Sequence, residues 1–247
     1  MISLLIACSG TPTQDPGVAT PVEPRGPLDV RATDWPSHWL ATRIGGEHAE
    51  VTCILPEGED AAFWQPPGDL VASLDEADLV VTNGADFAAW MKTAALPGMK
   101  VLETADSVDL IVKKGETHSH GNEGAHSHND VNPHTWTDPK IFAEQAGTVR
   151  VGLTMLDADH ADAYAANTEA VLADLDALHA ELEAATADLG ETELVLGHDF
   201  AYLARRYALK TTHVGHGIEV ELSSAEGPED YLAEMRKNVA ALDAVVE

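Results

Sequence analysis

Basic side chains are scarce. Fourteen lysines and arginines stand against 42 aspartates and glutamates in 247 residues, a formal net charge of -28. Such a surface repels nucleic acid and anionic lipid and raises the local concentration of cations. Long apolar runs are missing too: no stretch of eighteen or more apolar residues occurs, so no segment reads as a membrane span. Cysteine is reduced to Cys8 and Cys53. Cys53, in the strand-like run from Val51 to Leu55, reads as an inert core thiol. No His-Glu-x-x-His motif is present, and no general-base or nucleophile motif accompanies the histidines. The hydrophobic content of 45% still suffices for one large domain or two lobes.

Histidine is what the chain concentrates. Five of its twelve histidines, His118, His120, His126, His128 and His134, fall within seventeen residues. Neutral imidazole is a preferred ligand for zinc and related borderline metals, and this enrichment favours zinc over manganese. The first four sit among Gly, Ser, Asn and Glu in a loop over 117–130 with no apolar anchor. They form an auxiliary metal loop, weaker than a fixed site because each contact orders chain. His134 differs: Pro133 fixes the backbone before it, and Asp138-Pro139 opens a helix after it. His198, in Leu196-Gly197-His198-Asp199-Phe200, sits where a strand gives way to a helix, the usual site edge in α/β sheets. The two histidines are the primary candidate ligands.

From Leu28 the pattern alternates strand and helix, which implies parallel pairing and an α/β fold. Strands are expected at 28–33, 49–55, 79–84 and 100–103, with helices at 36–45, 69–77 and 85–95. Residues 159–189 carry apolar side chains at three- and four-residue steps and predict one long helix of about 46 Å, a strut between lobes. Asp157 and Asp159 are its capping candidates, Gly190 its stop, and His160 and His179 exposed residues on it. Beyond it, strands are expected at 193–196 and 211–214, helices at 200–207 and 228–241, and a further strand from Asp243. The organisation expected is therefore two lobes of parallel sheet flanked by helices and joined by one long rigid helix. Residues 1–27 form a partial lipoprotein signal and tether, 28–156 the first lobe, 157–190 the linking helix, and 191–247 a second lobe left incomplete at its C-terminus. Leu5-Ile6-Ala7-Cys8 resembles a bacterial lipoprotein cleavage box, which makes Cys8 a lipidation candidate.

Several spaced motifs together resemble one family, the zinc and manganese solute-binding proteins of bacterial metal ABC transporters, closest to the zinc-uptake branch. They are Ile44-Gly45-Gly46 with Val51, Leu79-Val80-Val81-Thr82-Asn83-Gly84, the histidine loop, Asn132 to Pro139, the strut helix, and Gly197 to Leu209. The resemblance covers nearly all of residues 28–247. It implies two α/β lobes with metal in the cleft, His134 and His198 as ligands, zinc as cargo, an ABC permease of the inner membrane as partner, a lipid anchor, and a periplasmic or cell-envelope location. It implies a binding protein and not an enzyme. A zinc-dependent hydrolase and an envelope metal buffer or adhesin without transport are the alternatives. Two positions depart from the family pattern. Ala62 stands where a first-lobe histidine is usual, and a fourth acidic ligand either lies beyond Glu247 or is replaced. Glu59, Asp60, His216, Glu219 or a loop histidine are the candidates to fill these places.

Overall fold

The computed structural model describes residues 26–112, 131–212 and 217–246. Cys8, His118, His120, His126, His128 and His216 lie outside the described residues. A first sheet holds β1 (Leu28–Ala32), β2 (Ala49–Cys53), β3 (Leu79–Thr82) and β4 (Val101–Glu103), all parallel, in the order β2-β1-β3-β4. A second holds β5 (Glu193–Val195), β6 (Lys210–Thr211) and β7 (Ile218–Glu219), also parallel, in the order β6-β5-β7. Among the described residues no helix is long and apolar enough to cross a membrane.

Local chemistry sets the boundaries. α1 (Trp35–Gly45) begins where the extended Asp34 accepts a hydrogen bond from Ser37 N, and stops at Gly46, whose φ of 54° suits a residue without Cβ. α2 (Gly68–Ser73) is short. α3 (Pro139–Leu156) has Pro139 in its first turn and Asp138 as N-cap, accepting from Lys140 N. α4 (Ala161–Thr186) is preceded by a 3-10 turn over Ala158–His160. α5 (Ala201–Arg206) follows β5, and α6 (Tyr231–Asp243) is capped by Asp230. The 26 residues of α4 extend about 39 Å. They pack on α1 and α3 from one side and on α6 from the other, so one rod spans both lobes. Its buried stripe is Tyr164, Thr168, Val171, Leu175, Leu178 and Leu182.

Four expectations are corrected. Residues 85–95 do not form a helix: Gly84, Ala85 and Asp86 all take positive φ, and only a 3-10 turn over Ala89–Lys92 follows. Three successive left-handed residues cannot open a right-handed helix. No strand starts at Asp243, because the backbone N–H groups of Val245 and Val246 turn back onto Leu242 and Asp243. Asp157 does not cap the long helix; its Oδ2 meets His160 Nδ1 at 2.7 Å and accepts from the Tyr164 hydroxyl at 2.8 Å. His160 and His179 are not simply exposed: His160 stacks on His48 at 3.9 Å, and His179 Nδ1 bonds the Tyr207 hydroxyl at 2.9 Å. The short β7 was not expected at all. Cys53 is half-buried, and burial pushes its thiol up to about 12, which suits an unreactive group.

Strand order places the cleft. The chain leaves β1 for β2 on one side and returns to β3 on the other, so the sheet has a switch point at the C-terminal end of β1. The second sheet repeats this arrangement around β5, whose neighbours β6 and β7 lie on opposite sides. Segment Asn132–Asp138 runs between the two points and is tied to the second lobe along its length. The Tyr202 hydroxyl donates to Asn132 O (2.7 Å), Trp136 Nε1 donates to Ser224 O (2.7 Å), and the Tyr231 hydroxyl donates to Trp136 O (2.7 Å). Arg206 Nε bonds both oxygens of the buried Asp138 at 2.9 and 2.8 Å.

Candidate metal centre

His134 is built from below. At the first switch point the buried Asp34 carboxylate accepts from Asn83 N (2.9 Å), Ser37 N (2.9 Å) and the Thr33 hydroxyl (3.0 Å). Burial pushes this carboxyl up, and those hydrogen bonds oppose the shift. Asn83 Nδ2 donates to Pro133 O at 2.8 Å, while its Oδ1 accepts from Gln145 Nε2 at 2.9 Å. The carbonyl just before His134 is thus anchored to the end of β3.

Asn132 then fixes the imidazole. Its Oδ1 accepts from His134 N at 3.0 Å and lies 3.0 Å from His134 Nδ1, while its Nδ2 donates to His198 O at 2.7 Å. The amide orientation follows, since Nδ2 must face the carbonyl and Oδ1 must face the two nitrogens. Nδ1 therefore carries a proton, and Nε2 is the ring nitrogen that faces the cleft. Phe87 and Trp136 wall the ring at centroid distances of 5.7 and 5.2 Å.

Three donors converge there. His134, His198 and Asp199 offer ligand atoms that all lie within 4.8 Å of one another. Asp199 Oδ1 is 3.4 Å from His134 Nε2 and 2.8 Å from His198 Nε2. A further carboxylate, Glu226, reaches from the loop after β7, with Oε1 3.3 Å from His134 Nε2. Ligands about 2.0–2.1 Å from a tetrahedral zinc are about 3.3 Å apart, so the spacings around His134 match the edges of such a polyhedron. Asp199 Oδ1 and Glu226 Oε1 are buried, and among the described residues the imidazole nitrogens of His134 and His198 are the groups that face them. Two carboxylate oxygens converging on one imidazole nitrogen make an anionic site that a divalent cation, or a proton on that nitrogen, neutralises. The donor set of two imidazoles and carboxylate oxygen suits a divalent ion of the zinc or manganese kind.

Among the sequence candidates, His134 and His198 are brought together across the cleft, with ring centroids 5.5 Å apart. Glu59 and Asp60 lie in an exposed turn outside this donor group, where Asp60 Oδ1 accepts from Ala62 N at 2.8 Å. Glu219 is exposed on β7 and also outside it. Asp199 and Glu226 were not singled out from the sequence. Asp199 had one signal, its place next to His198. Glu226 had none, since its position depends on β7 pairing with β5.

Residues 30–244 match the family described as zinc-uptake complex component A, periplasmic. The high-affinity zinc uptake system protein ZnuA of Bacillus subtilis is 24% identical over 194 residues, covering 74% of this chain and 59% of its own length. The zinc-binding lipoprotein AdcA of Streptococcus pneumoniae is 25% identical over 230 residues, covering 90% of this chain and 44% of its own. This chain spans about half the length of those relatives. A crystal structure of ZnuA superimposes with a TM-score of 0.63 at 26% identity, over 87% of this chain and 78% of that one. With the match running from β1 through α6 and the imidazole pair set between two parallel-sheet lobes, the chain belongs to the zinc-uptake complex component A family.

Proposed function

We propose that this protein is an extracytoplasmic receptor that captures zinc in its cleft through His134 and His198 and delivers it to an ABC permease. The observation that carries the reading is the convergence of His134, His198 and Asp199 at a site where Asn132 turns one imidazole nitrogen inward. Relatives named for zinc uptake and zinc binding support the same cargo. A lipid anchor through Cys8 would hold such a receptor at the membrane, close to its permease. A zinc hydrolase would keep one position open for water and a free base beside it. Here the carboxylates at hand face His134 directly, which favours capture over catalysis.

Zinc titration against a competing chelator tests the reading. One tight site is expected, weakened at least about tenfold by His134→Ala and by His198→Ala, since each removes a primary ligand. Unchanged affinity in both single variants contradicts it. Labelled-fatty-acid incorporation that is lost in Cys8→Ser tests the anchor.

A further inference from the structure

We propose that His48 and His160 form a second cation site, at the end of the first lobe remote from the cleft, which takes zinc or another borderline divalent ion. His48 closes the 3-10 turn before β2, and His160 closes the one before α4. The site therefore lies at the N-terminal end of a parallel strand, whereas the cleft lies at the C-terminal ends. α3 starts directly after the cleft segment, and its 18 residues carry the chain about 27 Å to the corner that holds His160. An ion there is out of reach of His134 and His198, so the inference does not depend on the proposed function.

Both rings are held by their surroundings. The two imidazoles stack at a centroid distance of 3.9 Å with planes 16° apart. The buried Tyr164 meets His48 edge-on, with planes 88° apart. Its hydroxyl donates to Asp157 Oδ2 at 2.8 Å, and the same oxygen lies 2.7 Å from His160 Nδ1. Burial pushes the Asp157 carboxyl up, but the hydrogen bonds from His160 and Tyr164 outweigh it and hold the group below its ordinary value. Facing an ionised carboxylate, Nδ1 carries a proton, and Nε2 is the nitrogen left for a metal. This is the arrangement in which a carboxylate orients a metal-binding histidine. His48 supplies the second imidazole. Its Nε2 lies 3.9 Å from Glu47 Oε1, and the Glu47 side chain is 90% exposed, so that carboxylate can turn onto the same ion. Asp157 is already engaged with His160 Nδ1, and these residues do not form a converged three-donor group like that of the cleft. Two imidazoles, with Glu47 or water in the remaining places, make a weaker site than the cleft. Packing alone accounts for the stacked rings. The chain from Tyr164 through Asp157 to His160 goes further, because it fixes which nitrogen can bind a metal.

Histidine-ring NMR of the full chain, titrated with zinc beyond one equivalent, tests this. The His48 and His160 signals are assigned by their disappearance in His48→Gln and His160→Gln, and the remaining histidine signals report that each variant is folded. The expected result is that both signals shift along one binding curve, at higher zinc than the cleft histidines require. His48→Gln should weaken the response at His160 by more than about tenfold, and His160→Gln the response at His48. Asp157→Asn keeps both imidazoles and should weaken the response at both by about tenfold, with the cleft signals titrating as in wild type. Magnesium at the same concentrations should move neither ring, because a hard cation prefers oxygen to imidazole. The proposal is overturned if the two signals stay still while the cleft titrates, an outcome that leaves the zinc receptor standing. It is equally overturned if either ring responds as in wild type once the other is removed, or if magnesium reproduces the zinc shifts.

Discussion

The two walls of the cleft hold their histidines in opposite ways. The His134 side chain is 10% exposed, bonded at Nδ1, flanked by two aromatic rings and anchored through Asn83 to the end of β3. The His198 side chain is 64% exposed; Asn132 holds its carbonyl, and among the described residues its ring meets Asp199 and the edge of His134. One wall is preorganised and the other adapts. Holding a side chain in place on binding costs about 0.5–1.5 kcal/mol, so most of that cost is already met at His134 and is still to be met at His198. For the proposed receptor role this asymmetry is useful: a rigid imidazole would set affinity, and an exposed one would offer the route in and out.

The sharpest way to break the comparison is to remove the rigid side. His134→Ala should lower zinc affinity by more than about 100-fold, exceeding the tenfold to 100-fold typical of losing an outer partner, as read by chelator competition. Equal losses at His134 and His198 would mean that the two walls are alike. Next in size is the bond that ties the walls together. Arg206→Met leaves the buried Asp138 carboxylate without its guanidinium; discounted for the partial exposure of Arg206, this should cost about 2 kcal/mol in a urea unfolding curve of the metal-free protein. His198→Ala should weaken zinc by about tenfold, with a faster off-rate in stopped-flow chelation, since the mobile ligand governs release.

The smallest expected effect concerns the foundation of the rigid wall. Burial raises the Asp34 carboxyl above its ordinary value, so the folded state binds that proton more tightly than the unfolded chain does. The stabilisation it contributes is fully present below the unfolded value near pH 4 and is lost as pH rises through the folded one. Asp34→Asn should flatten this part of the stability profile of the metal-free protein, measured by urea midpoints from pH 4 upward. A profile identical to wild type would remove Asp34 from the account.

Much of this was legible in the chain because the relevant residues stand out against their surroundings. Pro133 before His134 and Gly197 before His198 mark imidazoles at element boundaries, and the apolar stripe from Tyr164 to Leu182 announces the rod between the lobes. The carboxylates beside the histidine pair do not stand out among 42 acidic residues. Glu226 acquires meaning only when β7 pairs beside β5 and Trp136 catches the loop, both long-range events that no local pattern records. Residues 85–95 misled for the converse reason: Phe87, Ala88, Trp90 and Met91 recur at helical spacing, while three positive φ angles just before them dictate another path. Side chains can advertise a helix that the backbone refuses.

In the proposed site, imidazole and carboxylate meet on one ion between the lobes. Zinc K-edge X-ray absorption on the full chain loaded with one equivalent of zinc tests it most directly. The expected result is a mixed nitrogen and oxygen shell at about 2.0–2.1 Å, outer-shell scattering from two imidazoles, and loss of one imidazole in His134→Ala. A shell of three or more imidazoles, or one unchanged in His134→Ala, would contradict it.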